Sequence, residues 1–520
     1  MVNKQQIVKS GIWQLMNTAV IFVSQLGYYA ILARMLPHAK TEFGVFALLN
    51  SCMVFGNVVA EAGMGDALLQ RKHLDPQHKN AAFYYSTITG IFFYLVLYFS
   101  APWLADFYHQ PVLTQGLRII GLSFILYSLG SPSINLLQKE FQFKKIFFSD
   151  SLSLLASNVY GILLAYWGYG VMALVYSMVF YNVSKLIMLW IQEPLPLKVG
   201  GTWRHFNDLR NYGLLLTVIR IVNYINLSGI NFLLGKIITI QEVGLFDRAN
   251  RISNIPGRYI GDIVQKISMP AMVKVDGDDK LFKVYYKSLS FLHSLLMPVS
   301  IFFGIFSFPT VLILLGHQFE SADMSLKLML FALPFQISTR LSDGVLRVKA
   351  LLGINLKRKI LATVLLVGAM YFGSRWHITG ISAGYLIATV INYYIMIVTL
   401  RTNVFPENWK QLLFKPFING IPLTLYTVIP SVILYEALKF GLHLNDVESF
   451  LVMGTVVGLF LTYAFIKKPT LLGKDFLPIR EILLNKNKNK KRRQQQSTTQ
   501  EEEGIMMEQI DEKPAVKIDL

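Results

Sequence analysis

Long apolar runs, separated by short polar or charged connections, recur along most of the chain. A run of about 20 apolar residues is long enough to cross a bilayer as a helix. The pattern therefore predicts an all-α polytopic membrane protein with about fourteen transmembrane helices. We place these spans at 11–33, 43–64, 81–104, 117–137, 148–168, 170–191, 212–235, 243–264, 288–315, 324–346, 358–374, 378–400, 412–436 and 449–466.

An internal repeat relates the two halves of the chain. The segment EFGVF at 42–46 in span two recurs as EVGLF at 242–246 in span eight, and ILAR at 31–34 matches LLGK at 233–236. The copies lie six spans apart, and an even number of spans gives both copies the same orientation in the membrane. The repeat predicts two parallel six-helix lobes around a central cavity, followed by two C-terminal helices.

The predicted domains follow from these spans. They are an N-lobe at 1–193, a cytoplasmic linker at 194–211, a C-lobe at 212–403, the last two spans at 404–467, and a basic, polar tail at 468–520. The tail is low in complexity, so we expect it to be disordered.

Span eight carries charged residues where the hydrocarbon of a membrane demands apolar ones. Asp247, Arg251, Asn254, Arg258 and Asp262 recur at steps of four, three, four and four, which places them on one helical face. An arginine at the bilayer centre costs roughly 3 kcal/mol or more unless it faces water or a partner charge. We therefore predict that this face lines the central cavity.

Composition agrees with a membrane setting. Hydrophobic residues make up 53%, charged residues 15%, and the mean hydropathy is +0.45. The net charge of +18 is concentrated in the basic run at 486–493, where anionic lipid is a simpler partner than nucleic acid. The one cysteine, Cys52, excludes disulfides and cysteine-ligated metals. Without phosphate-binding, zinc-protease or nucleophile motifs, we expect neither cofactor, metal nor enzymatic activity.

The connections between spans predict the orientation of the chain. Lys and Arg are concentrated in the N-terminal segment and the even-numbered connections, including Arg71, Lys72, Lys144 and Lys145. Cytoplasmic loops carry the excess of positive charge. Both termini are therefore predicted to be cytoplasmic.

Several segments carry a family resemblance. They read LARMLP at 32–37, AGMGDALLQRK at 62–72, LLQKEFQFK at 136–144 and GLFDRANR at 244–251. With EFGVF between the first two, the chain resembles Wzx-type polysaccharide flippases of the multidrug/oligosaccharidyl-lipid/polysaccharide (MOP) superfamily. Within that group it is similar to the branch of colanic-acid exporters and lipopolysaccharide biosynthesis proteins.

The resemblance implies a transporter of the bacterial inner membrane. Its expected cargo is an undecaprenyl-diphosphate-linked oligosaccharide repeat unit for surface polysaccharide synthesis, moved by alternating access. The expected partners are this lipid-linked substrate, membrane lipids, a priming glycosyltransferase inside and a polysaccharide polymerase outside, with no nucleic acid.

The residues suit such a cargo, because guanidinium groups pair with phosphate oxygens through forked N–H donors. Asn254 offers hydrogen bonds to sugar. The candidate substrate-binding residues are Arg220, Arg248, Arg251, Asn254, Arg258 and Arg340.

A second interpretation stays open for the arginines. Arg251 and Arg258 would simply neutralise Asp247 and Asp262, since residues four apart on a helix are neighbours. By the same logic Arg340 would pair with Asp343, three residues away.

Three acidic residues are candidates for ion coupling or for charge pairing, namely Glu61, Asp247 and Asp262. A carboxyl group in a low-dielectric cavity gains proton affinity and can change its charge during a transport cycle. Span one carries no charge before Arg34, and span two carries no basic residue. The predicted cavity is therefore more basic on the C-lobe side.

Two other functional classes remain. The alternative to a flippase is a cation-coupled drug or metabolite exporter of the same superfamily, which favours acidic residues in a smaller cavity. A membrane-embedded polymerase or glycosyltransferase fits poorly, because the longest predicted outer connections, near 105–116 and 437–448, are too short for a catalytic loop.

Overall fold

The computed structural model describes residues 4–61, 76–193, 221, 224 and 229–467. Within this part of the chain the long regular elements are all helices. The predicted linker at 194–211, the predicted tail at 468–520 and most of span seven lie outside the described residues. The first seven helices are α1 (Lys4–Met35), α2 (Ala39–Glu61), α3 (Pro76–Phe107), α4 (Val112–Ile120), α5 (Leu122–Lys139), α6 (Phe143–Tyr166) and α7 (Val171–Gln192).

The second half repeats this order of long and short helices. It contains α8 (Ile230–Ile237), α9 (Ile240–Val273), α10 (Asp278–Ile305), α11 (Ser307–Leu315), α12 (Asp323–Val348), α13 (Leu352–Gly373) and α14 (His377–Asn403). A short helix α15 (Lys410–Leu413) leads to α16 (Lys415–Gly441) and α17 (Asp446–Lys467). We refer to α1–α7 as the N-lobe and to α8–α14 as the C-lobe.

Nine helical stretches among the described residues are long and apolar enough to cross a membrane. One of them, Leu352–Asn403, contains both α13 and α14. Helix α9 is 34 residues long but is not among the nine, because its charged face exceeds what an apolar span carries. The all-helical membrane fold is therefore as predicted, and α12, which carries Arg340 and Asp343, is likewise not among the nine.

Matching turns follow α5 in the first half and α12 in the second. Phe141 joins α5 to α6 with φ 58°, and Ala350 joins α12 to α13 with φ 56°. In both turns the next residue donates its N–H to a carbonyl five positions earlier, at 2.8 Å. Neither residue is glycine, although this left-handed region favours glycine. The backbone therefore preserves the repeat that the sequence indicates.

Two repeat-related glycines let α2 and α9 cross in close contact. A β-carbon on Gly44 would overlap the carbonyl oxygen of Ile240, and one on Gly244 would overlap that of Lys40. Each glycine therefore meets the residue four positions before the other. Only residues without a side chain permit this approach of two backbones.

Contacts divide the chain into two compact units, one of 1–285 with 299–413 and one of 286–298 with 414–520. The first holds nearly all of both lobes, and the domain boundaries expected at 193, 211 and 403 stay predictions. In the second, Asn419 of α16 donates a hydrogen bond to the Ser290 hydroxyl at 3.0 Å.

Candidate functional site

Arg248 of α9 lies between two aromatic rings of the N-lobe. Its guanidinium carbon is 4.5 Å from the ring centres of both Tyr29, on α1, and Phe43, on α2. The residue is 2% exposed, so ring faces replace water around the cation. A cation of the C-lobe is thus held by two helices of the N-lobe.

The neighbouring carboxylate, Asp247, is saturated with hydrogen bonds. It accepts one from Arg248 Nε at 3.1 Å, one from Arg251 Nε at 2.8 Å and one from the Asn231 amide at 3.1 Å. Two guanidinium groups share this single carboxylate, so the cluster keeps a net positive charge. The pairing of Arg251 with Asp247, expected under the second interpretation of the arginines, is present in the structure.

Arg251 and Arg258 line a cavity between α1, α9 and α11. The cavity encloses about 710 Å³ including its opening. The Arg251 side chain is 36% exposed and Arg258 is exposed, so both present guanidinium groups to the cavity. The other lining residues are mostly apolar or aromatic: Phe22, Gln25, Leu26, Tyr29, Ala30, Arg248, Ile252, Ile255, Tyr259, Leu314 and Leu315.

The expected pairing of Arg258 with Asp262 is wrong. Asp262 instead accepts a hydrogen bond at 2.6 Å from Arg340 of α12. The expected pairing of Arg340 with Asp343 is wrong for the same reason, since α9 and α12 pack side by side and a carboxylate across the interface lies closer. Among the described carboxylates, none pairs with Arg258.

The remaining predicted site residues lie elsewhere. Asn254 donates its amide to the Asn250 carbonyl at 2.8 Å and does not line the cavity. Glu61 is the last residue of α2, and its side chain lies outside the described part of the chain. Arg220 also lies outside it. The structure therefore brings Arg248, Arg251 and Arg258 to one cavity.

Two basic residues that are equivalent in the repeat tie each lobe to the other. Arg34 of α1 donates hydrogen bonds to the carbonyls of Leu312 and Ile313, near the end of α11, at 3.1 and 2.6 Å. Lys236 of α8 donates to the carbonyl of Phe107, the last residue of α3, at 3.1 Å. Cations are favourable at helix C-termini, where carbonyls lack helical partners.

An ion pair in the N-lobe was missed by the sequence analysis. Lys185 Nζ of α7 lies 2.7 Å from the carboxylate of Asp150 on α6, and Asn17 of α1 donates to the same carboxylate at 3.0 Å. The signal was present, because both charged residues fall inside predicted apolar spans. The N-lobe is therefore less apolar inside than its first two spans suggest.

A second missed group ties the C-lobe helices together. Arg358 of α13 is 5% exposed and donates to Asp343 at 2.7 Å and to Asn392 of α14 at 2.6 Å. Arg358 stands at the start of the predicted span 358–374 and within the basic run 357–359, a pattern that indicates a charge of the connecting loop instead. The contacts to α12 and α14 indicate a structural role inside the lobe.

A solved structure shares this fold. The chain is similar to a structure titled lipid II flippase MurJ, inward closed conformation, with a TM-score of 0.66 and 14% sequence identity. The match covers 88% of this chain and 100% of the other. At this identity the likeness shows the fold, and it confirms the predicted transporter architecture.

Curated relatives match over most of their length. The chain is 21% identical to the lipopolysaccharide biosynthesis protein WzxC of Escherichia coli (strain K12), over 84% of this chain and 88% of that protein. It is 22% identical to the succinoglycan biosynthesis transport protein ExoT of Rhizobium meliloti (strain 1021), over 88% of this chain and 92% of that protein.

A family model described as polysaccharide biosynthesis protein matches residues 31–323. The match spans more than half of the chain and includes α2, α9 and both basic residues that tie the lobes together. It confirms the family resemblance of the motifs. This chain is a member of the polysaccharide biosynthesis protein family.

Proposed function

We propose that this protein moves an undecaprenyl-diphosphate-linked oligosaccharide repeat unit across the bacterial inner membrane for surface polysaccharide synthesis. The named functions of its relatives support this, since one is a polysaccharide transport protein and a structural neighbour is a lipid flippase. The protein works by alternating access and converts no bond in its cargo.

The observation that carries the proposal is the charge of the arginine cavity. Arg248, Arg251 and Arg258 line it, whereas Asp247 is the carboxylate that compensates them. A diphosphate carries several negative oxygens that match the forked donors of guanidinium groups. The largely apolar remainder of the wall suits a lipid carrier.

A cation-coupled drug exporter receives no support from this cavity. Aromatic rings line it, but its three arginines repel an organic cation, and a carboxylate would be needed to offset that charge. The lining residues include no Asp or Glu among those described, and the nearby Asp247 is already bonded to two arginines and an asparagine.

The orientation of the chain completes the proposal. With both termini cytoplasmic, helices α2 and α9 begin at the outer side, where the glycine crossing, Arg34 and Lys236 join the lobes. This arrangement closes the outer end and leaves the arginine cavity for entry of cargo from inside. A priming glycosyltransferase inside and a polymerase outside then supply and consume the cargo.

The proposal is tested by the distribution of the lipid-linked oligosaccharide between the two leaflets. In a deletion strain we expect it to accumulate on the cytoplasmic face, and wild type to relieve this. Arg251→Ala and Arg258→Ala should restore little transport at equal expression, and Arg251→Lys should restore only part, because it keeps the charge but loses the fork.

Arg375→Ala is the matched control, since Arg375 is exposed and lies outside the cavity. It should complement as wild type does. A normal leaflet distribution in the deletion strain, with no second flippase present, would overturn the proposal.

A further inference from the structure

A second cavity lies within the N-lobe, between α5 and α7. It spans about 700 Å³ including the open space at its mouth. Polar side chains follow one face of α5 and meet others from α7. These are Tyr127, Ser131, Asn135 and Gln138 on α5, with Asn182 and Lys185 on α7. None of these residues lines the arginine cavity.

The charges at this cavity cancel. Lys185, which lines it, is paired with Asp150 at 2.7 Å. Asn17 donates to that carboxylate at 3.0 Å, and Lys185 Nζ lies 3.4 Å from the Tyr181 hydroxyl. An anion would have to displace Asp150 from Lys185, and a cation would have to displace Lys185 from Asp150. The cavity therefore favours an uncharged ligand.

The amide groups of the wall are held in place by hydrogen bonds to the helices. Asn135 donates its amide to the Ser131 carbonyl at 2.8 Å, and Asn182 donates to the Met178 carbonyl at 2.9 Å and to the Ser123 hydroxyl of α5 at 3.2 Å. Neither amide oxygen accepts a hydrogen bond from the described residues. Fixed acceptors beside donors form a surface that complements hydroxyl groups, which both donate and accept.

We propose that this polar cavity binds uncharged sugar units of the transported glycan. This proposal rests on the proposed function, because it assigns a binding site to the sugar end of the same cargo whose diphosphate contacts the arginines. An apolar lipid chain would leave the oxygens of these amides without hydrogen-bond donors inside the membrane, and that costs free energy. Sugars offer those amides a hydroxyl at nearly every carbon.

The two cavities are connected through two consecutive residues of α1. Asn17 donates to Asp150, the partner of the cavity-lining Lys185, whereas the carbonyl of the next residue, Thr18, accepts a bond at 3.4 Å from Tyr259. Tyr259 lines the arginine cavity. Side chains that belong to or adjoin the two cavities therefore contact neighbouring residues of one helix.

Binding to the protein in lipid nanodiscs tests the assignment with two probes. One is undecaprenyl diphosphate, and the other is the lipid-linked oligosaccharide extracted from cells that carry the gene. The variants are N135L with Q138L on α5 and, separately, N182L on α7. In the double variant, the loss of two hydrogen bonds should weaken binding of the glycosylated lipid about tenfold and leave binding of the bare lipid within about twofold. N182L should weaken binding of the glycosylated lipid by a smaller factor and also leave binding of the bare lipid within about twofold.

Asn158→Leu is the matched control, because Asn158 is an amide of the same lobe outside both cavities. It should leave both affinities unchanged. The sugar site would be overturned if both polar-cavity variants bound the glycosylated lipid as tightly as wild type. It would also be overturned if these variants lost equal affinity for both probes. Failure of the proposed function has a different signature, namely that wild type does not bind the bare diphosphate and Arg251→Ala changes nothing.

Discussion

The guanidinium of Arg248 and the ring of Tyr29 lie 4.5 Å apart, although they belong to opposite halves of the chain. The second ring, Phe43, and the carboxylate of Asp247 complete a buried site for one positive charge. A buried charge is stable only while its partners stay in place.

Replacing the carboxylate should therefore destabilise the whole protein. In Asp247→Asn the charge of Arg248 stays buried without a counter-charge, which costs about 3–5 kcal/mol. We expect a lower midpoint of thermal unfolding, followed by tryptophan fluorescence in detergent. Adding Arg248→Gln should recover part of the loss, because the pair is then removed together. An unfolding midpoint equal to that of wild type in Asp247→Asn would contradict this account.

The crossing of α2 and α9 predicts matching effects of two substitutions. Gly44→Ala and Gly244→Ala each add a β-carbon that overlaps a carbonyl of the other helix, and overpacking of this kind costs about 1–3 kcal/mol. The helices must separate, and Cys52, the only cysteine of the chain, is a buried reporter on α2, because the neighbouring Ser51 accepts hydrogen bonds from Tyr224 and Asn231 of the second half. We expect maleimide labelling of Cys52 to become about tenfold faster in either variant.

Gly27→Ala is the control for the crossing, because a β-carbon there has open space around it. Its labelling rate should equal that of wild type. Labelling that accelerates in only one of the two crossing variants would show that the contact is not reciprocal in the membrane.

The two cations that tie the lobes should contribute similar, small energies. Arg34→Ala and Lys236→Ala each remove a cation from a helix C-terminus, worth about 0.3–1 kcal/mol at an exposed position. We expect Cys52 to label about two to five times faster in each variant. High salt should reduce the difference in labelling rate between each variant and wild type. Arg401→Ala, which removes a cation outside both contacts, should leave the labelling rate unchanged. Salt-independent rates would exclude an electrostatic role.

Asp446 gives the C-terminal helices a pH dependence. The Lys439 ammonium and the Tyr435 hydroxyl, both 2.7 Å away, lower the pKa of Asp446 below its ordinary value of 3.8. Because the folded pKa is the lower one, the stabilisation is present above the unfolded pKa and is lost as pH falls through the folded pKa. Asp446→Asn should lower the unfolding midpoint at pH 7 and match wild type once the pH has fallen below the folded pKa. A difference that persists in acid would contradict this.

Much of the fold follows from periodicity. The apolar runs gave helix positions within a few residues, as for the span at 324–346 and helix α12, because hydrocarbon leaves few alternatives to helices. The start of α10 was missed by ten residues, since its first turns, from Asp278, are polar and extend beyond the apolar core.

The site was predictable only along single helices. The spacing of Asp247, Arg251 and Arg258 placed them on one face, and the structure puts both arginines in the cavity. Partners from other helices were not predictable, because sequence distance says nothing about them. Arg340 accordingly pairs with Asp262 on α9 and not with Asp343 on its own helix.

The reciprocal contact of the two glycines has the form of a subunit interface. Residue 44 meets residue 240, and residue 244 meets residue 40, as in an isologous contact between two copies of one chain. Parallel repeats are related by an axis along the membrane normal, so two separate six-helix proteins in the same orientation would meet in this way. The crossing thus has, within one polypeptide, the two-fold form of a contact between two parallel copies of one helix bundle, although only the C-lobe side supplies the buried arginine.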